Sequence, residues 1–172
     1  VRADMAKKFR DDPIYIKGIG VSSDQLNPVF RPGNDWLHWQ SLISSAHQAY
    51  EQAGITNPRE QIDVAEVHDC FSSTEMIIYE NYGFSPYAKD DIDNGFFELS
   101  GGLPVNTDGG LKCFGHPVAA SGIRMTYEIY KQLQGKADLP ERQLKNVKLG
   151  LSETFGGPPQ SSACAILGKE LG

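Results

Sequence analysis

The sequence predicts an α/β domain with the element order β-α-β-α-β-α-β-β, folded as a five-stranded mixed sheet covered by helices. Three observations carry this expectation. Short β-branched runs alternate with segments whose apolar residues recur at helical spacing, the pattern of a mainly parallel sheet with right-handed crossovers. The last two strand-like runs are joined only by the glycine- and proline-rich residues 153–159, and so short a turn makes that pair antiparallel. Two chemically capable stretches, residues 64–73 and 109–122, each fall where a strand gives way to a helix, a usual place for sites in α/β folds.

Residues 1–12 are charged and read as the tail of a preceding segment, and residues 13–172 as one domain. The chain lacks an initiator Met, which suggests a fragment or a processed product. Residues 14–21 form an apolar first strand after Asp12-Pro13. Pro28, Pro32 and Gly33 make residues 24–35 a loop. A helix over residues 36–53 follows from Trp39, Leu42, Ile43, Ala46, Ala49, Tyr50 and Ala53, and Gly54 stops it. His38 and His47 on this helix fall at no element junction and read as surface or boundary residues.

Residues 57–60 are a turn, and residues 62–67 the second strand. A helix over residues 72–82 ends at Gly83. Residues 85–102 form a long connection, either a tolerated insertion or a segment that covers substrate or meets a partner. Residues 103–106 are a short third strand, residues 117–134 a third helix, and residues 135–146 a polar connection. Residues 147–152 and 162–167 are the fourth and fifth strands.

His68, Asp69 and Cys70 end the second strand, and Ser72, Ser73 and Thr74 can cap the helix that follows. A helix amino terminus favours thiolate, so the position suits a reactive Cys70. Read alone, a free Cys is more often packed in a core. The second stretch shifts the balance. Gly109, Gly110 and Gly115 allow close backbone approach, Pro117 suits a first helical position, and small residues from Ala119 to Gly122 allow tight packing. His116 is thereby held at the mouth of a helix. Two histidines and a thiol, each at a strand-to-helix junction, fit one assembled site.

The net charge of −6, with no basic stripe, argues against nucleic-acid binding. No apolar run is long enough to span a bilayer, and residues 1–10 lack the hydrophobic segment of a signal peptide. Cys70, Cys113 and Cys164 are odd in number and widely spaced. They form neither a disulfide framework nor a Cys-x-x-Cys zinc site, and no metal site is expected. A reducing cytosol fits them best.

From residue 13 to residue 167 the chain resembles the carboxyl-terminal half of a thiolase. The resemblance rests on His68-Asp69-Cys70-Phe71, on residues 110–122 around Gly115-His116-Pro117, and on the turn at Gly156-Gly157. The His-Asp-Cys-Phe block points to the sterol-carrier-protein type and its bacterial and archaeal acetyl-CoA acetyltransferase relatives, enzymes of lipid metabolism. Members of this family have two similar halves that pack as a five-layered αβαβα structure and dimerise. The resemblance implies Claisen chemistry on coenzyme A thioesters, with acyl-CoA as substrate and no separate cofactor. Cys70 matches the thiol that moves a proton at the α-carbon. His116 matches the histidine that activates the nucleophile and helps bind the thioester oxygen, and His68 the residue that shares this oxyanion role. Gly115 and Gly156 match backbone positions at the oxyanion holes.

Two departures stand out. The family's nucleophilic Cys lies in the amino-terminal half, and neither Cys113 nor Cys164 matches it. Glu153-Thr154 stands where many sterol-carrier-type relatives have His-Asn, and Pro158 and Pro159 remove two backbone donors. The resemblance also implies a homodimer, and some relatives work with a small OB-fold, zinc-ribbon protein or another acyl-CoA enzyme. The alternatives are a thiolase-like aldolase acting on a β-hydroxyacyl-CoA and a non-catalytic partner subunit. In such aldolases the His-Asp-Cys-Phe position tends to carry Tyr-Asp, so Cys70 favours the acyltransferase. His68, Cys70, His116 and the Gly156 turn are all expected on one edge of the sheet.

Overall fold

The β-branched runs form four strands, β1 (Tyr15–Ser23), β2 (Val64–Glu66), β3 (Leu149–Gly156) and β4 (Ser161–Gly168), in one sheet of order β1-β4-β3-β2. This is a computed structural model that describes residues 1–24, 32–33, 35–157 and 160–171. The helices are α1 (Gln40–Ala53), α2 (Pro58–Gln61), α3 (Ser72–Asn81), α4 (Ala88–Asp93), α5 (Gly110–Phe114) and α6 (Ser121–Gln134). As expected, the final pair β3–β4 is antiparallel; β1–β4 is antiparallel too, and only β2–β3 is parallel. The sheet is mixed, though not mainly parallel.

The expected fifth strand does not form, and the sheet has four strands. Over residues 103–106 only Val105 makes an isolated parallel bridge, to Ala65. Pro104 has no N–H to give a ladder, and Asn106 turns away at φ 51°. The segment still covers the β2 edge: Ala65 N–H donates to the Pro104 carbonyl at 3.0 Å, and Asn106 N–H to the Ala65 carbonyl at 2.9 Å.

Helix starts also differ from expectation. Trp36 adopts φ 64° and Ala119 φ 70°. Neither conformation can continue into a right-handed helix, so α1 begins at Gln40 and α6 at Ser121. Pro117 is therefore not a first helical residue; its carbonyl accepts the N–H groups of Ala120 and Ser121 in a turn. At α3 the cap position falls to Phe71, with no side-chain cap bond, so Ser72, Ser73 and Thr74 lie inside the first turn. The long connection 85–102 contains α4. Glu153, Thr154, Phe155 and Gly156, expected in a turn, extend β3. Pro158, Pro159 and most of the expected loop 24–35 lie outside the described residues. Residues 1–12 contact α6: Arg10 donates to the Tyr130 hydroxyl at 2.6 Å and to Gln134 Oε1 at 3.1 Å.

Glycine sets the spacing between α1 and the sheet. A Cβ on Gly20 would lie 1.7 Å from the Ser45 carbonyl oxygen, and one on Gly18 2.2 Å from that of Ala49. The main core, including Leu42, Ala46, Ile78, Tyr82, Phe84, Leu151 and Ile166, fills the space beneath. α6 packs on the opposite face through Ile129 and Leu133, against Val64, Val147 and Leu167. It covers that face only in part. An apolar groove of about 540 Å³ remains, lined by Ile19, Ile123, Tyr127, Tyr130 and Ala165 among others. The free edge of β1 is occupied by α1 side chains: Ile19 N–H donates to Gln52 Oε1 at 3.2 Å, Val21 N–H to Gln48 Oε1 at 3.3 Å, and Gln52 Nε2 to the Ile19 carbonyl at 2.7 Å. Among the described residues no helix is long and apolar enough to cross a membrane.

The atoms that would meet a Gly20 side chain are backbone and cannot rotate away. Gly20→Ala should therefore destabilise the fold by about 2 kcal/mol or more. Ser23→Ala at the exposed strand end should stay within about 0.5 kcal/mol. Urea unfolding midpoints of the two variants check this.

Candidate active site

A strand-to-helix turn, from β2 to α3, and a helix-to-helix turn, from α5 to α6 rather than the expected strand-to-helix junction, meet above β3. β2 delivers His68, and the turn after α5 delivers His116. Their rings meet edge to face with centroids 4.7 Å apart. The Phe155 ring, at 4.5 Å, packs on His68 from β3. His68 is buried, whereas His116 lies on an exposed segment. Burial, reinforced by the nearby His116, pushes the His68 imidazole down to about 4. It is neutral at physiological pH.

Each imidazole has a hydroxyl neighbour at Nδ1. The Ser121 hydroxyl donates to the Pro117 carbonyl at 3.3 Å and lies 2.7 Å from His116 Nδ1. With its proton so placed, the Ser121 oxygen accepts from Nδ1–H, and His116 Nε2 is left with a lone pair to act as a base. His68 Nδ1 lies 3.4 Å from the Thr154 hydroxyl. When that hydroxyl donates, the His68 proton sits on Nε2, where it can serve as a neutral donor. The His68 N–H donates to Glu153 Oε2 at 3.1 Å.

Cys70 follows on the same turn, half-buried, with its sulfur 4.0 Å from the Thr74 hydroxyl in the first turn of α3. Gly115 is exposed beside His116 at φ 73°. Gly156 ends β3 opposite Ser161, next to the Phe155 that touches His68. Thus His68 and His116 are in direct contact, Cys70 and Gly115 lie beside them in sequence, and Gly156 follows the Phe155 that touches His68. Cys113 is exposed on α5. Cys164 is buried with its thiol directed at the Ser45 carbonyl, and burial pushes it up to about 12, as suits a core thiol. His38 and His47 are both exposed on the surface.

The sequence marks Asp69 only as one of three chemically capable residues after the second strand; its structural part, and those of Ser121 and Arg124, are not foreseen there. Asp69 accepts the Leu111 N–H at 2.9 Å, and its carboxylate approaches so closely that a Cβ on Gly110 would lie 2.2 Å from Oδ2. This contact, with Gly109 and Gly110 both at positive φ, ties the glycine loop to the His68–Cys70 turn. Ser121, which orients His116, is marked in sequence only by its place five residues after that histidine. Arg124 pairs with Asp108 and so fixes the same loop to α6.

The sequence of the chain matches the thiolase C-terminal domain-like family over residues 27–169. The chain belongs to this family. It is 32% identical, over 97% of its length, to acetyl-CoA acetyltransferase of Methanothermobacter thermautotrophicus and covers 43% of that protein. It is 37% identical over 90% of its length to acetyl-CoA acetyltransferase of Methanocaldococcus jannaschii, covering 40% of it. To sterol carrier protein 2 of Homo sapiens it is 37% identical over 65% of its length, covering 20% of that protein. The chain thus spans less than half the length of these relatives. Among solved structures, Ltp2-ChsH2(DUF35) aldolase superimposes with a TM-score of 0.76 and 26% identity, over 94% of this chain and 41% of that one.

Two measurements check this geometry. Ala119, beside the Gly-His-Pro turn of this thiolase-like domain, pays the cost of a left-handed backbone; Ala119→Gly should raise unfolding stability by about 1 kcal/mol, read from urea midpoints. The His68 imidazole should remain neutral in NMR titration at pH 6 and titrate near 4. A histidine ordinarily titrates near 6.5, so the unfolded chain takes up this proton first. The stability owed to neutral His68 is therefore complete above pH 6.5 and is lost as pH falls towards about 4. His68→Gln should flatten the stability profile in that window.

Proposed function

We propose that this chain is the part of a thiolase-type acyl-CoA acyltransferase that carries the acid/base thiol Cys70 and the oxyanion-binding histidines His68 and His116. The observation that carries this reading is the His68–His116 contact, in which Ser121 leaves a base on one ring and burial keeps the other neutral. His116 Nε2 takes the proton of a nucleophilic Cys supplied outside this chain. The imidazolium so formed then donates to the thioester oxygen beside the His68 Nε2–H. Two fixed donors stabilise the charge that develops there as thioester becomes enolate or tetrahedral adduct. The nucleophile's thiolate attacks the first acyl-CoA and expels coenzyme A thiolate, which takes the Cys70 proton and leaves as the thiol. The Cys70 thiolate so formed removes the α-proton of the second acyl-CoA, the resulting carbanion attacks the acyl carbon held on the nucleophile, and the nucleophile leaves as thiolate. Gly115 and Gly156 bring backbone close to the reacting groups without side-chain obstruction. Thiols, imidazoles and backbone donors suffice for this chemistry, so the reading calls for coenzyme A thioesters as substrates and no further cofactor.

A homodimer and a cytosolic setting belong to the same reading. Three unpaired cysteines suit a reducing compartment, and the apolar groove beside α6 suits assembly. A partner subunit, such as the DUF35 component named with the Ltp2 aldolase, is compatible with that assembly.

The structural likeness to that aldolase favours a second reading, retro-aldol cleavage of a β-hydroxyacyl-CoA. The retained Cys70 speaks for the acyltransferase. In the full-length enzyme, Cys70→Ala should abolish α-proton exchange of acetyl-CoA in D2O while acylation of the nucleophile persists. His116→Ala should slow acylation by about 10²–10⁴-fold. Cleavage of a β-hydroxyacyl-CoA to a carbonyl compound and an acyl-CoA, with no acylated cysteine formed by the wild type, would establish the aldolase instead.

A further inference from the structure

Glu153 is a buried titratable group for which the proposed chemistry has no task. It stands on β3 opposite Cys164 of β4 and is 1% exposed. Its Oε2 accepts the His68 N–H at 3.1 Å, while its Oε1 makes no hydrogen bond. The Ser162 hydroxyl, itself 2.8 Å from that of Ser45 on α1, acts on the carboxyl from β4. The titratable groups that face it are Tyr82 at the end of α3, Cys164 on β4 and His68 after β2. None is a cation at neutral pH: Tyr82 and Cys164 have no cationic form, and burial pushes His68 downward. A carboxylate here would have no counter-charge and one bare, dry oxygen. Burial accordingly pushes the Glu153 carboxyl up to about 8, against the opposing pull of the His68 N–H and Ser162.

We propose that Glu153 is a positioning residue of this site, held as the neutral acid, which pins the His68 peptide and with it the turn that carries His68 and Cys70. Ionisation strengthens the bond at Oε2 but leaves Oε1 as a desolvated anion. That anion is relieved by admitting water, and in this proposal the water enters where the turn opens. The sign follows from linkage: the folded carboxyl holds its proton to higher pH than the unfolded one, so this contribution is complete below about 4.5 and fades as pH rises through about 8. The consequence for turnover rests on the acyltransferase reading; the pinning of the turn does not.

Amide hydrogen exchange over residues 68–71 of the full-length protein tests the pinning without any assay of activity. Rates are divided by the intrinsic rate at each pH, for the wild type, Glu153→Gln and Glu153→Leu. Wild-type protection should fall at least tenfold between pH 6.5 and 9.5, with a midpoint near 8. Glu153→Gln keeps the acceptor without the charge, and its protection should stay level. Glu153→Leu should be unprotected at every pH. A Glu153→Gln profile that falls in parallel with the wild type, or that is already unprotected at pH 6.5, overturns the proposal, and this comparison decides even where Glu153→Leu fails to fold. In turnover, Glu153→Gln should remove an alkaline loss of kcat centred near pH 8 and leave KM unchanged. A wild type inactive in condensation and thiolysis at all pH refutes the acyltransferase reading, and the exchange profiles still decide the role of Glu153.

Discussion

Arg124 is the tie on which the geometry of the two histidines depends. From α6 it pairs with Asp108 and reaches to 3.6 Å from Glu66 Oε2 on β2. Asp108 accepts the Gly110 N–H at 2.9 Å, and Glu66 accepts the Thr107 N–H at 2.8 Å. The strand that leads to His68, the loop that leads to His116 and the helix that follows it are thus joined through one cation. Both carboxylates are buried. Removing one partner of such a group typically costs about 3–5 kcal/mol, because the other charge is left without compensation. Burial outweighs the cation at Glu66, whose carboxyl is pushed up to about 8. The tie therefore has its own sensitivity to pH, separate from the chemistry above it.

Around this tie the site is unevenly enclosed. His68 sits beneath Phe155 and is walled by protein, while residues 112–120, including His116, are exposed. Charge that develops beside His68 is in a low-dielectric setting, where fixed donors act strongly. On the His116 side, Phe114 and Val118 are exposed as well. Among the described residues, 112–120 all remain exposed on that side.

Much of this was legible in the sequence where one rule acted alone. Helical spacing from Leu42 to Ala53 and the stop at Gly54 located α1 to within a few residues, and β-branched runs located β1 and β4. The strand-to-helix turn that carries His68 was legible as well, whereas His116 falls between α5 and α6, after a short helix that the glycine-rich stretch did not announce. The misses came where backbone conformation overrode side-chain preference. Ala119 is a good helix former, yet here it takes a left-handed conformation that delays α6 to Ser121. Leu103, Pro104 and Val105 have the pattern of a strand, but one missing donor and a turn at Asn106 reduce it to a bridge. Long-range polar contacts left no local trace. Glu153 and His68 are 85 residues apart in sequence, and no periodicity could reveal that a carboxyl from one strand meets the peptide after another.

Both margins of the sheet are already occupied. Along β1, Gln52 and Gln48 take the outward N–H groups of Ile19 and Val21 respectively; along β2, the Pro104 carbonyl takes the Ala65 N–H and the Asn106 N–H donates to the Ala65 carbonyl. An incoming strand would have to displace these partners before it could add a rung. The fold is thereby guarded against open-ended stacking of copies edge to edge, the route by which bare strands seed aggregates. Higher assemblies of this domain are left to grow through helices and sheet faces, where side chains rather than backbone choose the neighbour.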